Sequence, residues 1–195
     1  MKYILQIFTG AWHSEKPRAE DIVGKISAIC SRIPVNQVII GWNTDPTVYI
    51  EVGAFLHERG IGMLVWLPVF SEISAVTEPD AALDIFGKPI LTPIRQEGED
   101  FLFSCPSSRR NIQIVKDIYE KYFSACGFDG VFLDKIRSQS FVSGVSGVLS
   151  CGCGRCRRAF LKRGVDIDAV RTLYAEKESV LPVCHIRGRP DLVGS

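Results

Sequence analysis

Four short apolar segments alternate with segments of helical pattern, and this alternation constrains the fold of the chain more than any other feature. Near-continuous apolar runs of this length are typical of strands that are covered on both faces. The apolar segments are Tyr3–Phe8, Gln37–Trp42, Ile61–Val69 and Gly130–Leu133. Because helical segments separate them, the strands are predicted to lie parallel and to be joined by right-handed crossovers.

The helical segments carry start and stop signals. Glu20 and Asp21 give the first segment an acidic first turn, Asp45 precedes a proline at the start of the second, and Gly60 follows its end. These residue types favour helix termini because they satisfy or complement the unpaired backbone groups there. Helices are predicted over Pro17–Arg32, Asp45–Glu58, Asn111–Ala125 and Asp166–Lys177.

The number of strand–helix units indicates part of a barrel. A complete barrel of eight units needs about 250 residues, and this chain has 195. We therefore predict a single α/β domain over residues 1–195. It comprises the first four or so units of a TIM-barrel-like parallel sheet, with an insertion at 71–106 and an irregular tail at 178–195. A doubly wound sheet is the alternative, but the sequence lacks the glycine-rich phosphate fingerprint of that fold.

Charge and cysteine content exclude several classes of partner. The formal net charge is +1, so neither nucleic acid nor an anionic membrane surface is expected to attract the chain. No apolar run is long enough to span a membrane, and the N-terminal segment predicts a strand rather than a signal peptide. Seven cysteines without an export signal favour reduced thiols, and therefore a cytoplasmic protein.

The last predicted strand, Gly130–Leu133, has no later strand to pair with. An unpaired strand edge promotes association with another chain. We therefore expect homo-oligomers that form through the open edge of the sheet.

Three cysteines lie within six residues in the segment Cys151-Gly-Cys153-Gly-Arg-Cys156. A glycine-rich turn that brings thiols together at this spacing is typical of a metal knuckle, and structural zinc is the cofactor that it predicts. Tetrahedral zinc needs a fourth ligand. Cys105 precedes the third predicted helix and therefore lies in the loop above the third strand. Adjacent strands in a sheet are about 4.8 Å apart, so this loop and the loop above the fourth strand can share one metal ion. The rival ligands lie in the irregular tail: Cys184 and His185.

Carboxylates follow the predicted strands at the end where (β/α) barrels keep their chemistry. Asp134 ends the fourth strand, and Arg137 could hold it ionised as a catalytic or substrate-binding group. A structural pair between these two residues is the alternative. Glu72, just after the third strand, is the candidate second catalytic carboxylate, and a solvated loop residue is the alternative for it.

Aromatic residues gather at the same strand ends. Indole rings stack on the C–H faces of sugars, so a mouth lined with tryptophans suits carbohydrate. The alternatives are ordinary core or rim tryptophans and a solvated loop histidine. The candidate substrate-binding residues, besides Arg137, are Trp12, His13, Trp42, Asn43 and Trp66.

Two motifs resemble known glycosidases. Cys105-Pro106, a helix, the fourth strand and the cysteine knuckle, followed by Arg-Arg-Ala-Phe-Leu-Lys-Arg-Gly, resemble the zinc-bearing half of the family-42 β-galactosidases. That resemblance implies a (β/α)8 fold with zinc on Cys105, Cys151, Cys153 and Cys156. The segment Gly127–Arg137 also resembles a wider group of glycosidase-like barrels, which carry Asp-Gly, three apolar residues, Asp and then Arg. Together the resemblances cover roughly residues 60 to 165.

One departure from family 42 affects the predicted chemistry. The fourth strand of those enzymes ends in Asn-Glu, where the glutamate is the general acid/base, whereas Asp134 is followed here by Lys135 and Ile136. Retaining hydrolysis needs two carboxyl groups about 5 Å apart. We therefore predict a glycoside-hydrolase-like protein that acts on or binds carbohydrate, as an enzyme or as a truncated or inactive form. The alternative is a non-catalytic carbohydrate- or protein-binding module with a structural zinc site.

Overall fold

The computed structural model describes residues 2–13, 17–90, 95–96, 99–100, 102–137 and 150–178. In chain order, its elements are β1 (Tyr3–Phe8), α1 (Ala19–Cys30), β2 (Val35–Gly41), α2 (Pro46–His57), β3 (Gly62–Pro68), a short 3-10 helix (Ile73–Ala75), β4 (Arg95–Gln96), β5 (Glu99–Asp100), α3 (Arg109–Tyr122), β6 (Gly130–Asp134), α4 (Gly154–Leu161) and α5 (Ile167–Glu178). The predicted strands and helices are therefore present, with ends that differ by a few residues.

The main sheet has the strand order β1-β2-β3-β6, and all its pairs are parallel. Strands that follow one another in this sheet along the chain are neighbours in space, as in a (β/α) barrel. A doubly wound sheet reverses its strand order at a switch point, and the described strands show no such reversal. The predicted α/β, TIM-barrel-like class is confirmed. The short β4 and β5 form a separate antiparallel pair within the insertion.

The core lies between one face of the sheet and the helices. Val38 and Ile40 of β2 and Val65 of β3 are fully buried, and they pack in one cluster with Ile26 of α1 and Val52 of α2. Residues two apart on a strand point to the same face, which is why Val38 and Ile40 join this cluster whereas Ile39 between them does not. Burial of each such side chain contributes roughly 1.5–3 kcal/mol.

Local signals fix where α2 begins and ends. The Asp45 side chain accepts a hydrogen bond from the backbone N–H of Thr47 at 3.1 Å, and Pro46 occupies the first turn. Gly60 has a φ of 67°, a left-handed conformation that costs glycine little. The helix therefore stops where the sequence predicts, and Gly62 starts β3 at once.

Strand β6 lies at the edge of the sheet in the described part of the chain. Val131 and Leu133 are 42% and 51% exposed, and they line a groove of about 810 Å³ beside α3. Phe132 of the same strand is 36% exposed, so apolar side chains of β6 meet solvent on both faces. Parallel strands are ordinarily covered on both faces. Self-association through this edge stays a prediction.

Two further predictions concern other parts of the chain. The rival metal ligands Cys184 and His185 lie outside the described residues, as does the tail at 179–195. Among the described residues, no helix combines the length and the apolar character needed to cross a membrane.

Candidate active site and metal centre

The four predicted cysteine ligands converge on one point. Their Sγ atoms all lie within 4.8 Å of one another. The Sγ of Cys105 is 3.5 Å from that of Cys153 and 3.7 Å from that of Cys156. Sulfurs around tetrahedral zinc, at a Zn–S distance of about 2.3 Å, are roughly 3.8 Å apart. The four-cysteine cluster therefore has the spacing of a metal site.

Backbone N–H groups point at the sulfurs of the cluster. The N–H of Leu83 donates to Cys151 Sγ at 3.3 Å, and hydrogen bonding from the backbone of Cys156 and of Ser107 acts to lower the pKa of Cys153 and of Cys105, respectively. Such outer hydrogen bonds stabilise thiolates and orient metal ligands. The donor set therefore fits a thiophilic cation held in tetrahedral geometry by four thiolates.

Burial opposes ionisation of the thiols. It is the main cause that raises the pKa of Cys105 well above its usual range and the pKa of Cys151 to about 11. Burial also acts against ionisation of Cys153, but hydrogen bonds from the Cys156 backbone and the neighbouring thiols lower its pKa to about 7. Four thiolates in this space therefore need a cation to offset their mutual repulsion and desolvation.

The four-cysteine cluster joins three separate segments of the chain. Ala82 and Phe103 form a small second core with the cysteines, against which Phe160 packs. The carboxylate of Asp80 accepts from the Oγ of Ser108 at 2.6 Å and from Arg155 at 2.9 Å. These hydrogen bonds lower the pKa of Asp80. The loop before α3 and the start of α4 are thus fastened to the insertion.

Gly152 is expected to be indispensable to the four-cysteine cluster. A Cβ at this position would overlap the backbone carbonyl of Asp84, and the Gly152 N–H donates to Leu83 O at 2.8 Å. Overpacking against the backbone destabilises a fold by about 1–3 kcal/mol or more. Gly152→Ala should therefore lower both the temperature midpoint of unfolding and the amount of metal bound per chain. Thermal unfolding and metal analysis measure the two effects.

The matched control for this change is Gly154→Ala. A Cβ there meets only the end of the flexible Arg158 side chain, at 3.6 Å. Equal midpoints and equal metal content for the two variants would contradict the expectation.

Asp134 has a hydrogen bond on each carboxylate oxygen. Its Oδ2 accepts from the indole Nε1 of Trp66 at 2.7 Å, and its Oδ1 accepts from the backbone N–H of Lys135 at 2.6 Å. The residue ends β6 and is half-buried. Arg137 lies with its guanidinium 5.4 Å from the centre of the Phe103 ring, so the predicted influence of Arg137 on Asp134 stays a prediction.

Arg137 also lines a small cavity of about 80 Å³ beside the four-cysteine cluster, together with Cys151, Ser104 and Ser150. The four-cysteine cluster and the end of β6 therefore lie next to each other, on the side of the sheet where the strands end.

Glu72 is buried, so the alternative of a solvated loop residue is wrong. Its side chain is 8% exposed, and its Oε1 accepts from the Nζ of Lys135 at 3.0 Å, where the Lys135 side chain is 5% exposed. Lys135 was not among the candidate site residues that the sequence pattern indicates. Its position directly after Asp134, at the end of a strand, is the feature of the sequence that could have identified it. The catalytic role of Glu72 stays a prediction.

The three tryptophans differ in their surroundings. Trp12 and Trp42 are 2% and 1% exposed, whereas Trp66 is half-buried. The Trp42 and Trp66 rings pack edge to face with centroids 4.9 Å apart. Phe8 was also not among the candidate residues. It is 52% exposed, and its ring centroid lies 6.0 Å from that of Trp66. Sugar contact by Trp12, Trp42 and Trp66 stays a prediction.

His13 and Asn43 lie in the loops after β1 and β2. The Nδ1 of His13 is 3.1 Å from the Oγ1 of Thr44, and the side chain of Asn43 accepts from the N–H of Asp45 at 2.9 Å. The Tyr49 hydroxyl donates to the Asn43 carbonyl at 2.7 Å. Asn43 is buried and its hydrogen bonds hold the loop after β2, whereas His13 is exposed. Substrate contact by either residue stays a prediction.

The fold and the site define an α/β protein that has a TIM-barrel-like parallel sheet, a carboxylate at a strand end and a four-cysteine cluster. No family model matches the chain, and no curated protein matches it. One similar solved structure is alpha-L-fucosidase isoenzyme 2 from Paenibacillus thiaminolyticus, with 16% identity, a TM-score of 0.46, and coverage of 92% of this chain and 30% of that chain.

A second similar solved structure is a mutant of Kfla1895 in complex with isomaltose. The identity is 14%, the TM-score is 0.41, and the match covers 67% of this chain and 24% of that chain. The chain thus spans less than a third of the length of either solved structure.

Proposed function

We propose that this chain is part of a glycoside-hydrolase-like barrel that binds carbohydrate at the carboxyl ends of its strands, with Asp134 as the working carboxylate. In this proposal the four-cysteine cluster holds structural zinc on Cys105, Cys151, Cys153 and Cys156. Zinc would supply no chemistry to the reaction, because four protein thiolates leave it no open coordination position.

The arrangement of Asp134 beside an aromatic surface carries the proposal. The carboxylate is hydrogen-bonded to Trp66 at 2.7 Å, and the half-exposed ring of Phe8 lies next to Trp66 on the same face of the sheet. An aromatic ring offers an apolar face to the C–H groups of a sugar, while the carboxylate lies at the strand end where (β/α) barrels carry out catalysis.

In retaining hydrolysis, Asp134 would act as the nucleophile. One carboxylate oxygen would form a bond to the anomeric carbon as the glycosidic C–O bond breaks, and the leaving oxygen would take a proton from a second carboxyl group. Water would then cleave the glycosyl ester and return the proton. Glu72 is the predicted second group, and this role requires its ion pair with Lys135 to open during the reaction.

The ion pair of Glu72 favours a second candidate function. If Glu72 stays bound to Lys135, the chain binds carbohydrate without hydrolysing it, as a non-catalytic module. The same aromatic surface beside Asp134 supports both candidates, so hydrolysis and binding have to be measured separately.

We expect Asp134→Asn to abolish hydrolysis of a panel of aryl glycosides, with a loss on the order of 10³-fold or more, because the amide cannot attack the anomeric carbon. Asp117→Asn is the matched control, since Asp117 is an exposed carboxylate on α3 that accepts from Gln113. Release of the aryl group measures hydrolysis, and quenching of tryptophan fluorescence by oligosaccharides measures binding.

The outcomes separate the two candidates. Binding without hydrolysis in the unmodified chain would favour the non-catalytic module. Absence of both hydrolysis and binding across the panel would contradict the proposed function, as would equal activity of the Asp134→Asn and Asp117→Asn variants.

A further inference from the structure

A pair of opposite charges is buried where β3 and β6 end. The Nζ of Lys135 lies 3.0 Å from the Oε1 of Glu72, with side chains 5% and 8% exposed. Taking two charges out of water costs several kcal/mol per ion in proteins, and replacement of such pairs by apolar residues is often neutral or stabilising. The presence of this pair therefore calls for a role other than stability.

The same two residues adopt a rare backbone conformation. Glu72 has a φ of 66° and Lys135 a φ of 55°, and left-handed conformations cost a residue with a Cβ about 1–2 kcal/mol. Among the described residues other than glycine, only Trp12 also has a positive φ, at 23°. The Nε1 of Trp12 donates to the carbonyl oxygen of Glu72 at 2.8 Å. Strained residues held together in this way are characteristic of functional sites.

Lys135 supplies one of the two hydrogen bonds to the Asp134 carboxylate and lies against Trp42, the neighbour of the second donor, Trp66. Its own backbone N–H donates to Asp134 Oδ1 at 2.6 Å. Its Nζ lies 5.1 Å from the centre of the Trp42 ring, and Trp42 packs edge to face on Trp66, the donor to Asp134 Oδ2. Anchoring the Lys135 side chain on Glu72 and Trp42 therefore fixes the peptide group and the indole that hold the carboxylate.

We propose that Lys135 is a positioning residue, with Glu72 as its counter-ion, that holds the Asp134 carboxylate in one orientation for a carbohydrate ligand. This inference rests on the proposed function in taking Asp134 as the working group. Lys135 itself would not touch the sugar, because its ammonium group is buried on Glu72. The positioning, unlike the sugar chemistry, is measurable without any substrate.

The hydrogen bond from Trp66 to Asp134 supplies the readout. The chain has three tryptophans, so nitrogen-15 labelling gives three indole N–H signals, and Trp66→Phe assigns the one of interest. In the unmodified chain, we expect this proton to exchange slowly with water and its signal to move on Asp134→Asn. In Lys135→Met, we expect the Trp66 signal to move in the same direction and its exchange to quicken by roughly 10-fold or more, which is the effect of about 1.4 kcal/mol of lost protection.

Two control variants separate positioning from general loss of stability. Leu56→Ala removes a fully buried core side chain far along α2 and should destabilise the fold while leaving the Trp66 signal in place. The double variant Glu72→Leu/Lys135→Met removes both charges and keeps the site apolar. Positioning predicts that its Trp66 signal stays displaced although its stability recovers, and this variant decides the matter if Lys135→Met does not fold.

An unchanged Trp66 signal in the double variant would overturn the inference, as would the same displacement in Leu56→Ala. Oligosaccharide titration of the same samples tests the proposed function separately. If the unmodified chain binds no oligosaccharide while the Trp66 signal depends on Lys135, the sugar proposal fails and the positioning of Asp134 stands. If it binds and the double variant binds at least 10-fold more weakly, both stand.

Discussion

Removal of the zinc that we propose for the four-cysteine cluster should unfold the part of the chain that surrounds it. The second core there is small, and the cysteines themselves form much of it together with Ala82 and Phe103. Without a cation, the cysteines are left as buried thiols and the free energy of metal binding is lost. In zinc-finger peptides this free energy is about 10–16 kcal/mol. We expect a loss of several kcal/mol, concentrated in the insertion and in α4, while the four-stranded sheet keeps its structure.

Metal analysis and thermal unfolding in the presence of a chelator measure this effect. The purified chain should hold about one zinc ion, and Cys153→Ser should lose it. Cys30→Ser is the control, because Cys30 is half-buried on α1, outside the four-cysteine cluster. Limited proteolysis of the chelated protein should cut first between residues 80 and 90 or between 150 and 161.

Two results would contradict the metal prediction. Full metal occupancy in Cys105→Ser would exclude Cys105 as the fourth ligand. An unfolding midpoint that does not change on removal of bound metal would show that the cluster does not depend on a cation for its stability.

The second large effect should come from breaking the buried ion pair. Lys135→Met leaves the Glu72 carboxylate buried without the ammonium group that lies 3.0 Å away, and such a change costs about 3–5 kcal/mol. Glu72→Leu/Lys135→Met should recover most of this loss, because both charges of the pair are then removed. Urea unfolding gives the two free energies of unfolding and, with the single variants, the coupling between the residues.

Arg18→Met provides the comparison at the surface. Arg18 donates to Asp21 at 2.8 Å across one helical turn, and both side chains are exposed. Solvent screens exposed pairs, so no measurable loss is expected. A Lys135→Met variant as stable as Arg18→Met would mean that the buried pair is unimportant to the fold, and a double variant no more stable than Lys135→Met would mean that packing rather than charge sets the cost.

The four-cysteine cluster was predictable because most of its spacing is local. Three of its cysteines lie within six residues, and a glycine-rich turn can bring such near neighbours together whatever the rest of the chain does. Cys105 followed from chain order, since the loops above adjacent parallel strands must lie side by side. The sequence did not indicate that the cysteine knuckle contacts the insertion. There the Gly152 N–H donates a hydrogen bond to Leu83 O, and the Leu83 N–H donates to Cys151 Sγ.

The surroundings of Asp134 were predictable only in part. Its place at a strand end followed from the pattern of β6, but its partners did not. Trp66 lies 68 positions away and Lys135 reaches Glu72 across 63 positions. Whether two such side chains meet depends on strand register and on backbone conformations, such as the left-handed Glu72 and Lys135, that no pattern of polar and apolar residues specifies.

The sequence by itself determined the class of fold and the four residues of the cysteine cluster. Apolar periodicity and helix-terminus signals act over a few residues, and a parallel sheet in chain order is the arrangement that satisfies them. The tertiary structure alone decided that Glu72 is buried and that Lys135 is its partner. It also decided that Trp12 and Trp42 belong to the core, while Trp66 donates to Asp134 and Phe8 packs beside Trp66. The physical reason is that burial and long-range pairing depend on the packing of the whole sheet against its helices. The residue patterns that predict a strand or a cysteine knuckle, by contrast, lie within single short segments.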